Sequence, residues 1–185
     1  MRIIAGEYSS RRIDAPKGNA TRPTLDKVRE AVFSSLGTWF EGGCFLDLYA
    51  GSGANGFEAL SRGMDNAVFC DISGAAMAVI KNNAKSLGCT EQCRFLHMKD
   101  TKALQILNEE GMAFDLIYLD PPYMKQHNAD ILLYIDREGM LKEDGRIVIE
   151  SSASDVYEEQ YGSLMRYKEV RYGITMISYY RRKQK

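Results

Sequence analysis

Short apolar runs alternate with amphipathic stretches from residue 44 to residue 150. Each apolar run has the length and the β-branched or aromatic content of a buried strand, and the stretches between them carry apolar residues at helical spacing. Strands that alternate with helices predict a parallel sheet covered on both faces. The predicted strands are 44–49, 67–70, 93–97, 114–119 and 146–150.

The two ends of the chain depart from this alternation. Residues 2–14 predict a β-hairpin and residues 24–36 an amphipathic helix, both ahead of the first strand of the alternation. Near the other end, residues 164–172 and 174–180 predict an antiparallel hairpin that turns at Gly173. We therefore expect an N-terminal extension over residues 1–40 and an α/β domain over residues 41–185.

Composition excludes several classes of protein. The chain has 185 residues, of which 45% are hydrophobic and 26% charged, as in an ordinary globular protein. No apolar stretch approaches the roughly 20 residues of a membrane span, and the first residues do not resemble a signal peptide, so we expect a cytoplasmic protein. The four cysteines and two histidines are not at metal-ligand spacing, which predicts reduced thiols and no metal site.

Basic residues are concentrated at the ends of a chain whose net charge is only -1. Residues 1–29 contain seven basic and three acidic side chains, and residues 181–185 are basic again. Such segments are either solvated termini or a local phosphate-binding face, and the sequence leaves both open.

A glycine-rich turn follows the first strand of the alternation. Residues 51–56 read Gly-Ser-Gly-Ala-Asn-Gly, which satisfies the dinucleotide fingerprint, so a nicotinamide-binding domain is one alternative. Asp47, at the end of that strand, would repel a pyrophosphate and would favour a cofactor with an amino group and a sulfonium centre. S-adenosylmethionine is such a cofactor. The alternative for Asp47 is a buried acid that caps a helix.

Acidic residues also follow the next two strands. Asp71 ends the second strand, where it can accept hydrogen bonds from ribose hydroxyls. Asp100 follows the third strand, where it can accept from an adenine amino group, with the N–H of Thr101 nearby. An N-cap for the next helix is the competing role of Asp100.

The run Asp120-Pro121-Pro122-Tyr123 follows the fourth strand. The prolines cannot continue a strand, so a carboxylate and a ring are presented on a rigid backbone at the edge where open α/β folds bind ligands. The Asp120 carboxylate and the Pro121 carbonyl can accept hydrogen bonds from the exocyclic amine of a nucleic-acid base, and Tyr123 offers a face for stacking. Held in line with a sulfonium methyl, that amine can be methylated. A simple strand-ending turn is the alternative.

Four segments together resemble the bacterial 16S rRNA guanine-N2 methyltransferase family. They are the cofactor motif over residues 47–63, an N-terminal signature over residues 2–6, 21–24 and 28–30, the Asp-Pro-Pro-Tyr run, and the closing hairpin around residues 172–175. The Asp-Pro-Pro-Tyr run is shared with DNA adenine methyltransferases, and the N-terminal signature separates the two. Asn55, Asp71 and Tyr49 depart from the family pattern, which usually has an apolar residue, glutamate and phenylalanine there.

The resemblance implies a Rossmann-like class I methyltransferase fold, with a seven-stranded, mostly parallel sheet that ends in an antiparallel hairpin. It implies methyl transfer from S-adenosylmethionine to the N2 amine of a guanine in 16S rRNA, as free RNA or in an assembling small subunit, with neither metal nor membrane. It places the target base against Asp120, Pro121, Pro122 and Tyr123, and the RNA against Arg2, Arg11, Arg12 and Arg22. The cofactor-binding residues would be Thr21, Arg22, Pro23, Thr24, Asp47, Ala50, Gly51, Ser52, Gly53, Asp71, Ile72, Asp100, Thr101 and Asp120.

Three other functions stay open on the sequence. They are an N6-adenine methyltransferase acting on DNA or RNA, a nicotinamide-dependent oxidoreductase built on residues 51–56, and a non-catalytic RNA-binding module.

Overall fold

The computed structural model describes residues 1–16, 23–121 and 127–183, and for residues 23–25 it describes the backbone alone. Two compact units divide the chain, Met1–Asp100 and Thr101–Lys185. The predicted boundary at residue 40 stays a prediction. The predicted site residues that lie outside this description are Thr21, Arg22, Pro122, Tyr123 and the side chains of Pro23 and Thr24.

The first unit contains three parallel strands and three α-helices in the part that is described. The strands pair in the order β3-β2-β1, so their carboxyl ends share one edge. A short 3₁₀ turn, Thr90–Gln92, precedes β3. The elements are α1 (Pro23–Leu36), β1 (Cys44–Asp47), α2 (Ala54–Ser61), β2 (Asn66–Asp71), α3 (Gly74–Leu87) and β3 (Cys93–His97).

Aromatic side chains hold α2 against this sheet. Phe57 of α2 packs on Phe69 of β2 with ring centroids 4.9 Å apart, and Phe69 stacks on Phe95 at 6.0 Å. A Cβ at position 56 would overlap the Phe69 ring, so the third glycine of the turn is needed for close packing of the helix on the sheet.

The predicted N-terminal hairpin forms, reduced to one antiparallel bridge between Arg2 and Arg12. Its apolar residues Ile3 and Ile13 are buried. The turn of the hairpin lies on α2, where the Tyr8 N–H donates to Ser61 Oγ at 2.9 Å and Ser61 Oγ donates to the Ala5 carbonyl at 2.5 Å. The extension therefore packs on the helix that follows the glycine-rich turn.

A buried carboxylate on α2 organises this contact. Glu58 is fully buried and accepts hydrogen bonds from the backbone N–H groups of Ile4 and Ala5 at 2.9 and 3.1 Å. It also pairs with Arg62 at 2.8 Å, and Arg29 of α1 lies 3.7 Å away. Because its charge is paired and its oxygens accept hydrogen bonds, Glu58 can be buried without a large penalty.

The second unit continues the parallel pattern and then reverses it. β4 and β5 are parallel, and β5, β8, β7 and β6 follow in antiparallel order. This confirms the predicted α/β class with a mostly parallel sheet that ends in antiparallel strands. The elements are α4 (Asp100–Glu109), β4 (Phe114–Leu119), α5 (Asn128–Arg137), β5 (Leu141–Ser152), β6 (Gln160–Tyr161), β7 (Leu164–Tyr172) and β8 (Thr175–Arg182).

Two strands of the second unit differ from the prediction. β5 begins at Leu141 instead of residue 146, through a polar stretch that has no strand-like alternation. β6 is an eighth strand of only two residues, paired with β7. A segment this short has too few side chains to show a period of two.

Candidate active site

Three predicted acids lie at the carboxyl ends of the parallel strands in the first unit. Asp47 ends β1, Asp71 ends β2, and Asp100 follows β3. Two hydrogen bonds connect the loops around them. The Gly51 N–H donates to Asp71 Oδ2 at 2.8 Å, and the Tyr49 hydroxyl donates to Asp100 Oδ2 at 2.6 Å. The structure therefore brings these acids to one edge, as the strand pattern predicted.

The glycine-rich turn has a tight backbone. The Ala50 N–H donates to the Cys70 carbonyl at 2.9 Å, and the Gly53 N–H donates to the Ala50 carbonyl at 2.6 Å. Gly51 has a φ of 56°, and a Cβ built there would meet no atom within 4 Å. The turn therefore leaves open space directly over Gly51, in a backbone conformation that glycine adopts at low cost.

Asp47 is a fully buried acid at the end of β1. None of the described residues donates a hydrogen bond to either of its carboxylate oxygens. Burial raises the pKa of Asp47 to about 7, and the Asp71 carboxylate adds to this rise. The Gly56 N–H lowers the pKa in part, although its approach does not reach the geometry of a hydrogen bond. A carboxylate buried in this way is costly unless a cation or a donor meets it.

Asp71 is fixed by backbone donors on both oxygens. Its Oδ1 accepts from the Ser73 N–H at 2.8 Å, and its Oδ2 accepts from the Gly51 N–H. Ser73 in turn caps α3 by accepting from the Ala76 N–H. Each carboxylate oxygen retains a further lone pair that can accept from a ligand hydroxyl. Next to it, the Ile72 side chain is 63% exposed, an apolar surface beside an oriented carboxylate.

The hydrogen bond between Tyr49 and Asp100 was not predicted from the sequence. Asp100 is the first residue of α4, and Tyr49 lies just before the glycine-rich turn. The family resemblance treats Tyr49 as a substitute for phenylalanine, but only tyrosine has a hydroxyl that can hold the carboxylate. The departure from the family pattern was the one available signal for this contact.

Asn83 is a second residue that the sequence did not reveal. It is buried on α3, and its side-chain N–H groups donate to the Ser52 carbonyl at 3.1 Å and the Asp14 carbonyl at 3.0 Å. Its Oδ1 also accepts from the Asp14 N–H. Asn83 therefore fixes the glycine-rich turn and the segment after the N-terminal hairpin to the same helix.

The second unit presents Asp120 and Pro121 directly after β4. Asp120 is exposed, whereas Pro121 and the strand residues before it are buried. The buried Tyr118 hydroxyl donates to Glu150 Oε2 at 3.0 Å, and burial together with the Glu150 charge raises the pKa of Tyr118 well above its ordinary value. This bond fixes the end of β4 to its neighbour β5, so that Asp120 follows a rigid strand.

The predicted RNA-binding arginines of the hairpin differ in their surroundings. Arg11 donates through its guanidinium to the carbonyls of Ser86 and Leu87 at the end of α3. Arg2 donates to the Ser10 carbonyl at 3.2 Å. Arg12 is exposed, and the described residues offer its side chain no hydrogen bond or ion pair. Arg12 is therefore the hairpin arginine with the most freedom to meet a ligand.

Within the described ranges, no three acidic, cysteine or histidine side chains are grouped so that they could hold a metal ion. In the same ranges, no helix combines the length and apolarity needed to cross a bilayer.

A family model described as conserved hypothetical protein 95 matches residues 1–181. The chain belongs to this family. It is 38% identical over 183 residues to the "Putative rRNA methyltransferase YlbH" of Bacillus subtilis (strain 168). The aligned residues cover 99% of this chain and 100% of that protein. It is 30% identical over 156 residues to the ribosomal RNA small subunit methyltransferase D of Escherichia coli (strain K12), covering 84% of this chain and 76% of that protein.

The fold of the family member described here is also that of a solved relative. The structure of the "Putative methyltransferase yhhF from Escherichia coli" matches it with a TM-score of 0.83 and 25% identity, over 100% of this chain and 99% of that one. The family and the fold together confirm the expected class I, S-adenosylmethionine-dependent methyltransferase fold. In an open α/β fold, ligands bind at the carboxyl ends of the parallel strands, which is where these acids lie.

Proposed function

We propose that this chain transfers a methyl group from S-adenosylmethionine to the exocyclic N2 amine of a guanine in 16S rRNA. The observation that carries the proposal is the buried carboxylate of Asp47, to which no described residue donates, together with the open space over Gly51 of the turn that follows it. Such a site favours a cationic cofactor and disfavours the pyrophosphate of a nicotinamide dinucleotide. The names of the relatives, which are rRNA methyltransferases, support the RNA substrate.

The residues of the first unit fit S-adenosylmethionine part by part. Asp47 supplies a carboxylate for the ammonium group, and Gly51 leaves room for the methionine end to approach the backbone. Asp71, oriented by two backbone donors, can accept from the ribose hydroxyls, and Ile72 offers an apolar surface to the adenine. Asp100, held by Tyr49, can accept from the adenine amino group. The bound cofactor supplies an electrophilic methyl carbon on a sulfonium sulfur.

The residues that follow β4 would hold the target amine. The lone pair of an exocyclic amine is delocalised into the base, so the amine is a poor nucleophile until it is oriented. Acceptance of its hydrogens by the Asp120 carboxylate and the Pro121 carbonyl would direct the lone pair at the methyl carbon. The new N–C bond forms as the C–S bond breaks, the electron pair stays on sulfur, and the nitrogen then loses one proton to solvent.

Two effects account for the rate in this proposal. Orienting the two reactants contributes on the order of 7–11 kcal/mol to a step of this kind. Fixed acceptors add electrostatic stabilisation as positive charge develops on the nitrogen. Pro122 and Tyr123 would complete the base site, and Thr21 to Thr24 would fold over the cofactor. Of these, only the backbone of Pro23 and Thr24 is among the described parts of the chain.

A guanine must leave its stack to reach Asp120, at a cost of a few kcal/mol. Contacts between basic side chains and the RNA backbone would offset this cost. Arg12 and Arg2 of the hairpin are exposed and suited to this role, and Arg22 is proposed with them. Arg11 stays a candidate, although its guanidinium already binds the end of α3.

Product analysis after incubation with S-adenosylmethionine tests the proposal. Free 16S rRNA and small-subunit particles, both from cells lacking the enzyme, are offered separately, digested to nucleosides and analysed by mass spectrometry. We expect N2-methylguanosine as the product, and the better of the two substrates identifies the assembly state that is recognised. N6-methyladenosine as the product would replace the proposal with the adenine-specific alternative. Tight binding of NAD without methyl transfer would favour the oxidoreductase alternative.

A further inference from the structure

A basic cleft of about 860 Å³ lies in the second unit, at the amino end of β5. Its lining carries more positive than negative charge. The lining residues are Leu141, Glu143, Asp144, Arg146, Ser163, Arg181, Arg182 and Lys183.

The cleft lies apart from Asp120 within the same unit. β4 and β5 are parallel, and Phe114 at the amino end of β4 pairs with Leu141 of the cleft. Asp120 follows the other end of β4, six strand residues later. Arg146 of the cleft pairs with Leu116, four residues before Asp120. At about 3.3 Å per residue, the cleft and Asp120 are therefore separated by roughly 13 to 20 Å along the strands. The cleft is therefore not part of the base site proposed above.

Two of its arginines are placed directly opposite each other. Arg146 of β5 pairs with Arg181 of β8 in the antiparallel register, so both side chains lie on one face of the sheet. Like charges in such a cross-strand pair repel each other. Glu143 and Asp144 line the same cleft and offset only part of its four basic side chains. The guanidinium of Arg181 also lies over the ring of Tyr167, 4.9 Å from its centroid, so this cation is held from one side.

The wall of the cleft is rigid. Arg182 donates to the Leu141 carbonyl at 3.1 Å and to Ser163 Oγ at 3.2 Å, and it pairs with Asp136 at 3.4 Å. The Lys183 N–H donates to the Ser163 carbonyl at 2.9 Å, so the backbone is fixed while the Lys183 side chain is exposed. The cleft thus presents cations that need little ordering when an anion binds.

We propose that this cleft binds the phosphodiester backbone of the substrate RNA, as an anchor roughly 13 to 20 Å along the strands from Asp120. The identity of this RNA rests on the proposed function. Neighbouring cations along one cleft match the way in which proteins hold the backbone of single-stranded RNA, with phosphates on the cations. An anchor of this kind also contributes binding energy that offsets the unstacking of the target guanine.

Fluorescence anisotropy tests whether the cleft binds RNA. The probe is a fluorescein-labelled single-stranded RNA of mixed sequence, and its binding is measured at several salt concentrations. The variant Arg181→Gln/Lys183→Gln removes two cations and leaves Arg182, which has structural partners, in place. The control Lys81→Gln/Lys85→Gln removes the same charge from the exposed face of α3, away from the cleft lining. Thermal unfolding of both variants verifies that they remain folded.

The cleft variant should bind the RNA on the order of tenfold more weakly at low salt. Its plot of log affinity against log salt should be shallower by about 1.4, since each phosphate contact to a single strand contributes about 0.7. For methyl transfer, KM for the RNA should rise while kcat stays the same. Equal affinities and equal slopes in the cleft variant and the control would overturn the proposal. Saturable displacement of the RNA by low inorganic phosphate would also overturn it, in favour of a free-phosphate site.

The two proposals fail in different ways, because binding is measured without methyl transfer. Salt-dependent RNA binding through the cleft in a protein that does not methylate 16S rRNA would contradict the proposed function alone. Normal methylation with unchanged RNA binding in the cleft variant would contradict the anchor alone.

Discussion

At the scale of single residues, the proposed cofactor chemistry depends most on Asp47. The strand pattern predicted its position, and the structure adds that it is buried without a donor among the described residues. Because burial raises the pKa of Asp47 to about 7, the acid is largely protonated in the free protein below that pH. A cationic ligand favours the ionised form, so its binding is linked to the release of a proton.

The affinity for S-adenosylmethionine should therefore rise with pH between about pH 5 and pH 7, by at most about tenfold per unit, and then level off. The variant Asp47→Asn should bind more weakly and lose this dependence. Calorimetry across this range, in buffers of different ionisation enthalpy, measures both the affinity and the proton released. A flat affinity profile in the unchanged protein would contradict an ionised Asp47 in the complex.

The same raised pKa affects folding. In the unfolded chain the carboxyl of Asp47 has its ordinary pKa, so between about pH 4 and pH 7 the folded protein binds more protons than the unfolded one. This group therefore lowers the free energy of unfolding as the pH rises through that window. Asp47→Asn should flatten this part of the stability profile, which denaturant titrations at several pH values would show.

Tyr49 should act as a positioning residue for Asp100. Tyr49→Phe removes only the hydroxyl that donates to the carboxylate, and the loss of one such hydrogen bond corresponds to about 0.5–1.5 kcal/mol. We expect affinity for S-adenosylhomocysteine to fall by roughly three- to tenfold. Affinity for the inosine analogue, which lacks the adenine amino group, should change little. An equal loss for both ligands would mean that Tyr49 supports the fold of the turn and not recognition of the adenine.

The sequence predicted the acids at the strand ends but not the residues that hold them. Asp47, Asp71 and Asp100 follow from where apolar runs stop, which is local information. The bond from Tyr49 to Asp100 joins residues 51 positions apart, and that from Asn83 to Ser52 joins residues 31 positions apart. Contacts of this kind depend on which strands become neighbours, and no local pattern contains that information.

At the scale of elements, the N-terminal hairpin combines structural and exposed arginines. Arg11→Gln should destabilise the protein by about 0.3–1 kcal/mol, because its guanidinium binds the carbonyls at the end of α3. Arg12→Gln is its matched control and should leave the free energy of unfolding unchanged while weakening RNA binding. Urea unfolding and RNA binding of both variants test this division. Equal stability of the two variants would contradict the capping role of Arg11.

The contact between the hairpin and α2 should depend on Glu58. Glu58→Ala leaves two backbone N–H groups and the buried Arg62 without their acceptor, and breaking a buried pair of this kind costs about 3–5 kcal/mol. Glu58→Gln keeps one acceptor oxygen and the shape of the side chain, so it should cost less. Chemical denaturation of both variants gives the comparison. A loss below about 1 kcal/mol in Glu58→Ala would show that the cluster is not buried as described.

Long, regular elements were predicted well, and short or polar ones were not. The predicted bounds of β4 and β7 agree with the structure, because apolar or aromatic side chains stand at both ends of each strand. The first residues of β5 include Lys142, Glu143 and Asp144, which show no strand-like alternation. They stand where the register with β4 shifts, which is a feature of the pairing and not of the local sequence. Glu58, in a predicted helix, gave no sign of burial because its partners come from the hairpin and from α1.

At the scale of the whole molecule, family membership and fold establish a class I methyltransferase, and the proposed chemistry concerns which amine is methylated. The proposed cofactor-binding acids lie in the first unit, and the proposed base site and RNA anchor lie in the second. The central claim is that Asp120 orients the target amine. If it does, a substitution at this one residue must slow transfer of the methyl group and leave the affinity for the cofactor nearly unchanged.

Methyl incorporation into 16S rRNA by Asp120→Ala and Asp120→Asn, measured together with S-adenosylmethionine affinity, tests this claim most directly. Asp120→Ala should lower kcat on the order of 100-fold or more while cofactor affinity stays within about threefold of the unchanged protein. Asp120→Asn retains one acceptor oxygen and should lie between the two. Turnover by Asp120→Ala at the rate of the unchanged protein would contradict the account.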